Sequence, residues 1–144
     1  MDDRITILEQ GKKVLQKEAA VILKIADRLG EEFIRAVDIL YSCRGRVVTT
    51  GMGKSGLICK KISATFSSTG TPSFFMHPAD AIHGDLGMMV KDDVVIAVSN
   101  SGETEEVKQL LPSIGRLGLK MISITGDVSS TLAKLSEVVL YAQV

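Results

Sequence analysis

Beyond Arg44 and Gly45 the chain alternates between short apolar, β-branched runs and longer stretches with helical spacing, and this alternation constrains its fold more than any other feature. Residues 47–50, 73–76, 94–98, 121–124 and 138–141 read as strands. Residues 55–66, 105–117 and 130–135 read as the helices between them. The run Val94-Val95-Ile96-Ala97-Val98 is apolar at successive positions, hence on both faces, and such a strand needs cover on both sides. Helices crossing between parallel strands supply that cover. The expected fold class is therefore α/β, a three-layer sandwich around a five-stranded parallel sheet.

Two further helices precede the sheet. Leu8, Leu15, Ile22 and Leu29, with Ile7, Val14 and Ile25, recur at three-to-four spacing and predict an amphipathic helix over 5–29, ended by Gly30. Glu31 and Glu32 open a second helix over 31–42, with Phe33, Ile34, Val37, Leu40 and Tyr41 on its apolar side. A chain of 144 residues holds one domain, and 45% hydrophobic residues give it a core without disulfides or structural metal. Its 17 Lys+Arg balance 17 Asp+Glu, so the basic excess needed for nucleic acid or an anionic membrane is missing. No run is long enough to span a bilayer and the first residues contain no apolar core of a signal peptide, so a soluble cytoplasmic protein is expected. Cys43 and Cys59 form no metal-binding pattern and read as reduced, mostly buried thiols.

Parallel α/β folds bind ligands at the carboxyl ends of their strands, which directs attention to residues 51–55, 77–87, 99–104 and 125–130. In the first of these, GMGKSG follows a strand and opens a helix. Gly51 and Gly53 let backbone N–H groups approach an anion, with Lys54 and Ser55 beside them. A Walker A loop requires Gly where Val48 stands, and a dinucleotide site requires an acid where the chain reads Phe74-Phe75-Met76-His77. A phosphate or other anionic group is the ligand that remains, against the plainer reading of a tight structural turn. In SNSGETEE, Ser99, Ser101 and Thr104 supply hydroxyls around Gly102, either as a second anion cradle or as an ordinary helix cap. Glu106 is placed there as a proton-abstracting carboxylate. His77, Asp80, His83 and Asp85 fit no metal spacing, so a proton-transfer or hydrogen-bonding His is expected, with His83 favoured over His77.

Taken together and in order, GMGKSG, STGTPSFFMHPADAIHGDLG and SNSGETEE resemble the sugar isomerase (SIS) domain of the arabinose 5-phosphate isomerase family, over nearly the whole chain. The resemblance implies a nucleotide-binding-like sheet topology and interconversion of D-ribulose 5-phosphate and D-arabinose 5-phosphate, a precursor step for Kdo in lipopolysaccharide. It implies no cofactor and no required metal, zinc being inhibitory in relatives. Catalytic roles fall on Lys54, His83 and Glu106, and phosphate binding on Gly53, Ser55, Ser99, Asn100, Ser101 and Thr104. The partner it implies is a phosphosugar, with the chain assembled as a homo-oligomer, tetramer or dimer. Leu57 and Asp80 stand where the family pattern has His and Glu. Relatives continue beyond the last strand with a hydroxyl-rich loop, a helix carrying a further catalytic His, and CBS modules, so residues 1–144 are expected to be a SIS domain without those parts. The alternative is a non-catalytic, sugar-phosphate-binding regulatory module, which would need neither His83 nor Glu106.

Overall fold

The computed structural model describes residues 2–143, which divide into two compact units at Gly30 and Glu31. The first unit is the 25-residue helix α1 (Asp2–Ala26) with a short tail. It stops three residues before the predicted end. Arg28 and Leu29 donate to Ile25 and Ala26 carbonyls, bonds three residues back that tighten the last turn and close the helix before Gly30. Its apolar residues Leu8, Leu15 and Ile22 are exposed.

The second unit, Glu31–Gln143, carries the alternating elements. In chain order these are α2 (Glu31–Tyr41), β1 (Val47–Gly51), α3 (Gly53–Ser68), β2 (Ser73–Met76) and α4 (Pro78–Ile82). A 3-10 turn at Asp85–Met88 leads to β3 (Val94–Val98), α5 (Glu105–Arg116), β4 (Lys120–Thr125), α6 (Thr131–Lys134) and β5 (Val138–Tyr141). The five strands form one parallel sheet in the order β2-β1-β3-β4-β5, as the α/β reading expects.

The double-sided apolar strands divide the core into two layers. On one face Val48, Val95 and Met121 lie in register and pack with Ala81 of α4, Val107, Leu110, Leu111 and Ile114 of α5, and Leu132 of α6. On the other, Val47, Val94, Ile96, Ile122 and Val138 meet Ala36 and Ile39 of α2 and Phe66 of α3. Of the predicted apolar side of α2 only Leu40 meets the sheet. Ala36, Ile39 and Leu40 turn inward, whereas Phe33, Ile34, Val37 and Tyr41 are exposed. The helix has apolar residues around most of its circumference, so spacing alone does not select the stripe that faces the sheet.

Candidate functional site

Sheet order 2-1-3-4-5 reverses direction between β1 and β3, and the crevice outside the carboxyl ends of these strands is where such a fold takes a ligand. Gly51 and Val98 are register partners at that point. Three of the loops singled out by sequence leave from adjacent strands, β2, β1 and β3. His83, Lys54 with Ser55, and the segment from Ser99 to Glu106 are thereby delivered to one edge of the sheet.

The β1 loop is built for close approach. A Cβ at Gly56 would lie 2.6 Å from the Gly51 carbonyl oxygen, so only glycine lets the first turn of α3 sit directly against the strand end. Met52 precedes the helix without a side-chain cap, leaving first-turn amides of a 16-residue helix to an anion or solvent. Lys54 is exposed and Ser55 half-buried in that turn. Behind it, the Cys59 thiol donates to the Thr50 carbonyl at 3.2 Å. Burial pushes its pKa up to about 11, which makes it a packed thiol and not a nucleophile.

The β3 loop departs from an ordinary helix cap. Thr104 stands at the N-cap of α5 but accepts no capping bond; its hydroxyl instead meets that of Ser99 at 2.8 Å. Ser99 Oγ also accepts the Gly102 N–H at 3.1 Å, and Ser101 Oγ accepts the Glu103 N–H at 3.2 Å. Hydroxyls and amides thus curl around Gly102, whose φ of 64° and close contact with Ser130 exclude a side chain. Glu106 is half-buried in the following turn. Asn100 holds the loop by its backbone: its carbonyl accepts the Gly126 N–H at 2.9 Å and the Thr125 hydroxyl at 3.3 Å.

One residue of this loop has a role that sequence reasoning did not assign. Glu103 accepts the Thr131 N–H at 2.6 Å and the Thr131 hydroxyl at 3.1 Å, tying the β3 loop to the start of α6, and meets Lys108 at 3.4 Å. The Thr131 amide, then its hydroxyl, hold the Glu103 carboxyl below the usual carboxylate range, with Lys108 adding to the effect. Its partner lies 28 residues away, so no local pattern marks it.

In the β2 loop, α4 and the 3-10 turn replace the irregular segment the sequence suggested. Pro78 at the first helical position is the one local signal for α4. His83 ends α4 and is exposed, free to reach a ligand. His77 precedes it, with its ring edge-on to Phe75 at 6.2 Å between centroids and its Nδ1 buried without a hydrogen-bond partner. Among the described residues no group of three or more His, Cys, Asp or Glu is placed to hold a metal, and no helix is long and apolar enough to cross a membrane.

A parallel sheet with a glycine-opened helix start and a ring of hydroxyls at its switch point defines a doubly wound α/β protein. Residues 39–144 match the model of the SIS domain, and the chain belongs to that family. It is 49% identical over all 144 residues to arabinose 5-phosphate isomerase KdsD of Pseudomonas aeruginosa, covering 44% of that protein. To KdsD of Escherichia coli K12 it is 46% identical over 136 residues, which are 94% of this chain and 42% of that one. The chain thus spans less than half the length of these curated relatives. A solved structure from E. coli CFT073, in complex with arabinose 5-phosphate, superposes with a TM-score of 0.92 at 44% identity, covering 97% of this chain and 74% of that chain.

Proposed function

We propose that this chain is the SIS portion of an aldose-ketose isomerase that interconverts D-ribulose 5-phosphate and D-arabinose 5-phosphate through an enediol. The observation that carries the reading is that Lys54, His83 and Glu106 follow β1, β2 and β3, three strands adjacent in the sheet. A phosphate cradle alone would need neither the His nor the Glu. The similarity to arabinose 5-phosphate isomerases supports the choice of sugar.

In this mechanism the phosphate of the open-chain sugar rests on the first-turn amides of α3 and on Gly53, Ser55, Ser99, Asn100, Ser101 and Thr104. It takes over the hydroxyls that Ser99 and Thr104 now share with each other. Glu106 removes the proton on the carbon next to the carbonyl and returns it to the neighbouring carbon. Lys54 stabilises the oxyanion that develops on the former carbonyl oxygen. His83 moves protons among the sugar hydroxyls or assists ring opening. The reaction requires no redox cofactor, since the electron pair stays within the substrate, and the proton held on Glu106 can exchange with solvent before it is returned. Supply of a Kdo precursor for lipopolysaccharide in the cytoplasm follows from the same reading.

The working form is proposed to be a homo-oligomer. Leu8, Leu15 and Ile22, exposed along α1 at seven-residue spacing, form the apolar stripe a second copy would cover.

The test is incubation of the purified 144-residue chain with arabinose 5-phosphate in D₂O, followed by NMR. Ribulose 5-phosphate should appear, with deuterium entering at C2 of the aldose. An absence of ketose, of exchange and of any rise in melting temperature with the sugar phosphate overturns the proposal.

A further inference from the structure

At the end of the sheet away from these loops, a cavity of about 450 Å³ opens between the tail of α2 and the amino ends of β3 and β4. Its size falls in the range of small-ligand sites. β3 has five residues rising about 3.3 Å each, so the cavity lies roughly 13 Å below the switch-point crevice and is separate from it.

Three of the five charged residues around it are cations. Lys12, Arg35 and Lys108 each meet a carboxylate. Arg44, Lys91 and Lys120 all line the cavity, and none has a carboxylate or hydrogen-bonding partner among the described residues. The floor is fixed. The Asp93 side chain is fully buried and accepts the Arg46 N–H at 2.8 Å and the Val90 N–H at 2.9 Å, with the Arg46 guanidinium at 3.2 Å. Its charge is therefore spent. The Asp92 carbonyl is also occupied, accepting the Gly45 N–H at 3.0 Å and the Cys43 thiol at 3.6 Å. Three cations face the concavity against one remaining acid, Asp92. Unpaired like charges around a recess focus a positive potential into it.

We infer that this cavity is a second anion site, for a small metabolite bearing a phosphate or pyrophosphate group, distinct from the phosphosugar loops. Arg44 supplies a planar fork suited to two phosphate oxygens, and Lys91 and Lys120 supply mobile point charges from the β3 and β4 sides. A ligand with at least two negative charges matches the excess of cations.

The test titrates inorganic pyrophosphate calorimetrically into three forms of the full chain. These are the wild type, a cavity variant with Arg44→Ala, Lys91→Ala and Lys120→Ala, and a control with Lys13→Ala, Lys17→Ala and Lys24→Ala on α1. All six side chains are exposed, so the ligand-free melting temperature of each form should match the wild type. The wild type should show a saturable event below about 1 mM that the cavity variant weakens at least tenfold and the control leaves within about twofold. No saturable event in the wild type overturns the inference. So does full retention in the cavity variant, which would place the anion on the phosphosugar loops, or an equal loss in both variants, which would reduce the effect to net charge.

Discussion

Glu106 occupies the first turn of α5, half-buried behind a loop whose hydroxyls are already turned toward one another. If it is the base of the isomerisation, Glu106→Gln keeps its shape and hydrogen-bonding reach and removes its capacity to take a proton. Turnover should fall by about 10²- to 10⁴-fold, with the stabilisation of the chain by arabinose 5-phosphate retained in a thermal melt. Near-normal turnover would remove Glu106 from that role. Glu103, three residues earlier, makes a different contribution. Thr131 and Lys108 hold its carboxyl below the usual range, so the folded state favours the charged form. The stability it gives is present above the ordinary Glu pKa and is lost as pH falls through the lowered value. Glu103→Gln should therefore shrink the drop in melting temperature between about pH 6 and about pH 3. The contrast shows what was legible in the residues. Ser99, Ser101 and Thr104 stood out because hydroxyls and a glycine at a strand end have few other uses, whereas the tie from Glu103 to Thr131 exists only once β4 brings α6 beside the loop.

Elements were legible in proportion to their periodicity. The strands at Ser73–Met76, Val94–Val98 and Val138–Tyr141 fall where the apolar runs place them, because a strand covered on both faces leaves an uninterrupted signature. α4 escaped notice because five residues make little more than one turn and bury only Pro78 and Ala81. α2 was located correctly, but of the apolar side read from its spacing only Leu40 packs against the sheet, because the residues that meet it most fully, Ala36 and Ile39, are not its largest apolar ones. The most demanding junction is between β3, its loop and α6. A Cβ at Gly102 would lie 2.0 Å from Ser130 Oγ and 2.4 Å from Ser130 Cβ, and the backbone there has φ of 64°. Gly102→Ala should thus cost about 2 kcal/mol or more in chemical denaturation, through left-handed strain and displacement of the α6 cap together. It should also weaken sugar-phosphate binding. By comparison Leu110→Ala, at a position 1% exposed in α5, should cost about 2–5 kcal/mol through cavity formation and leave the loop geometry and ligand affinity largely intact. Equal effects of the two changes on affinity would show that the cradle depends on global stability and not on the geometry at Gly102.

For the whole molecule, the balance between inward and outward apolar surface decides how the chain exists in solution. The central strands of the sheet are covered on both faces, and Val47, Val48, Val95 and Ile122 are almost completely excluded from solvent, while the edge strands β2 and β5 are partly exposed. Ile5, Leu8, Leu15, Ile22 and Leu23 on α1, Phe33, Ile34 and Val37 on α2, and Leu57 and Ile58 on α3 are all exposed. Scattered apolar residues are normal on a surface, but these recur on three consecutive helices, and on α1 they follow the heptad-like spacing of Leu8, Leu15 and Ile22. Burying even half of a Leu or Ile side chain contributes about 1 kcal/mol, so an interface between two copies of α1 can offset the cost of association. Sedimentation at about 10 µM should then give a mass of at least twice 15.5 kDa, and the melting temperature should rise with protein concentration. Leu8→Lys with Leu15→Lys should shift the population toward monomer and remove the concentration dependence, while leaving the sheet's far-ultraviolet signal in place. A wild-type chain that sediments as a monomer at about 100 µM, with a melting temperature independent of concentration, would show that these helices are tolerated in water and that association is no part of how the site is built.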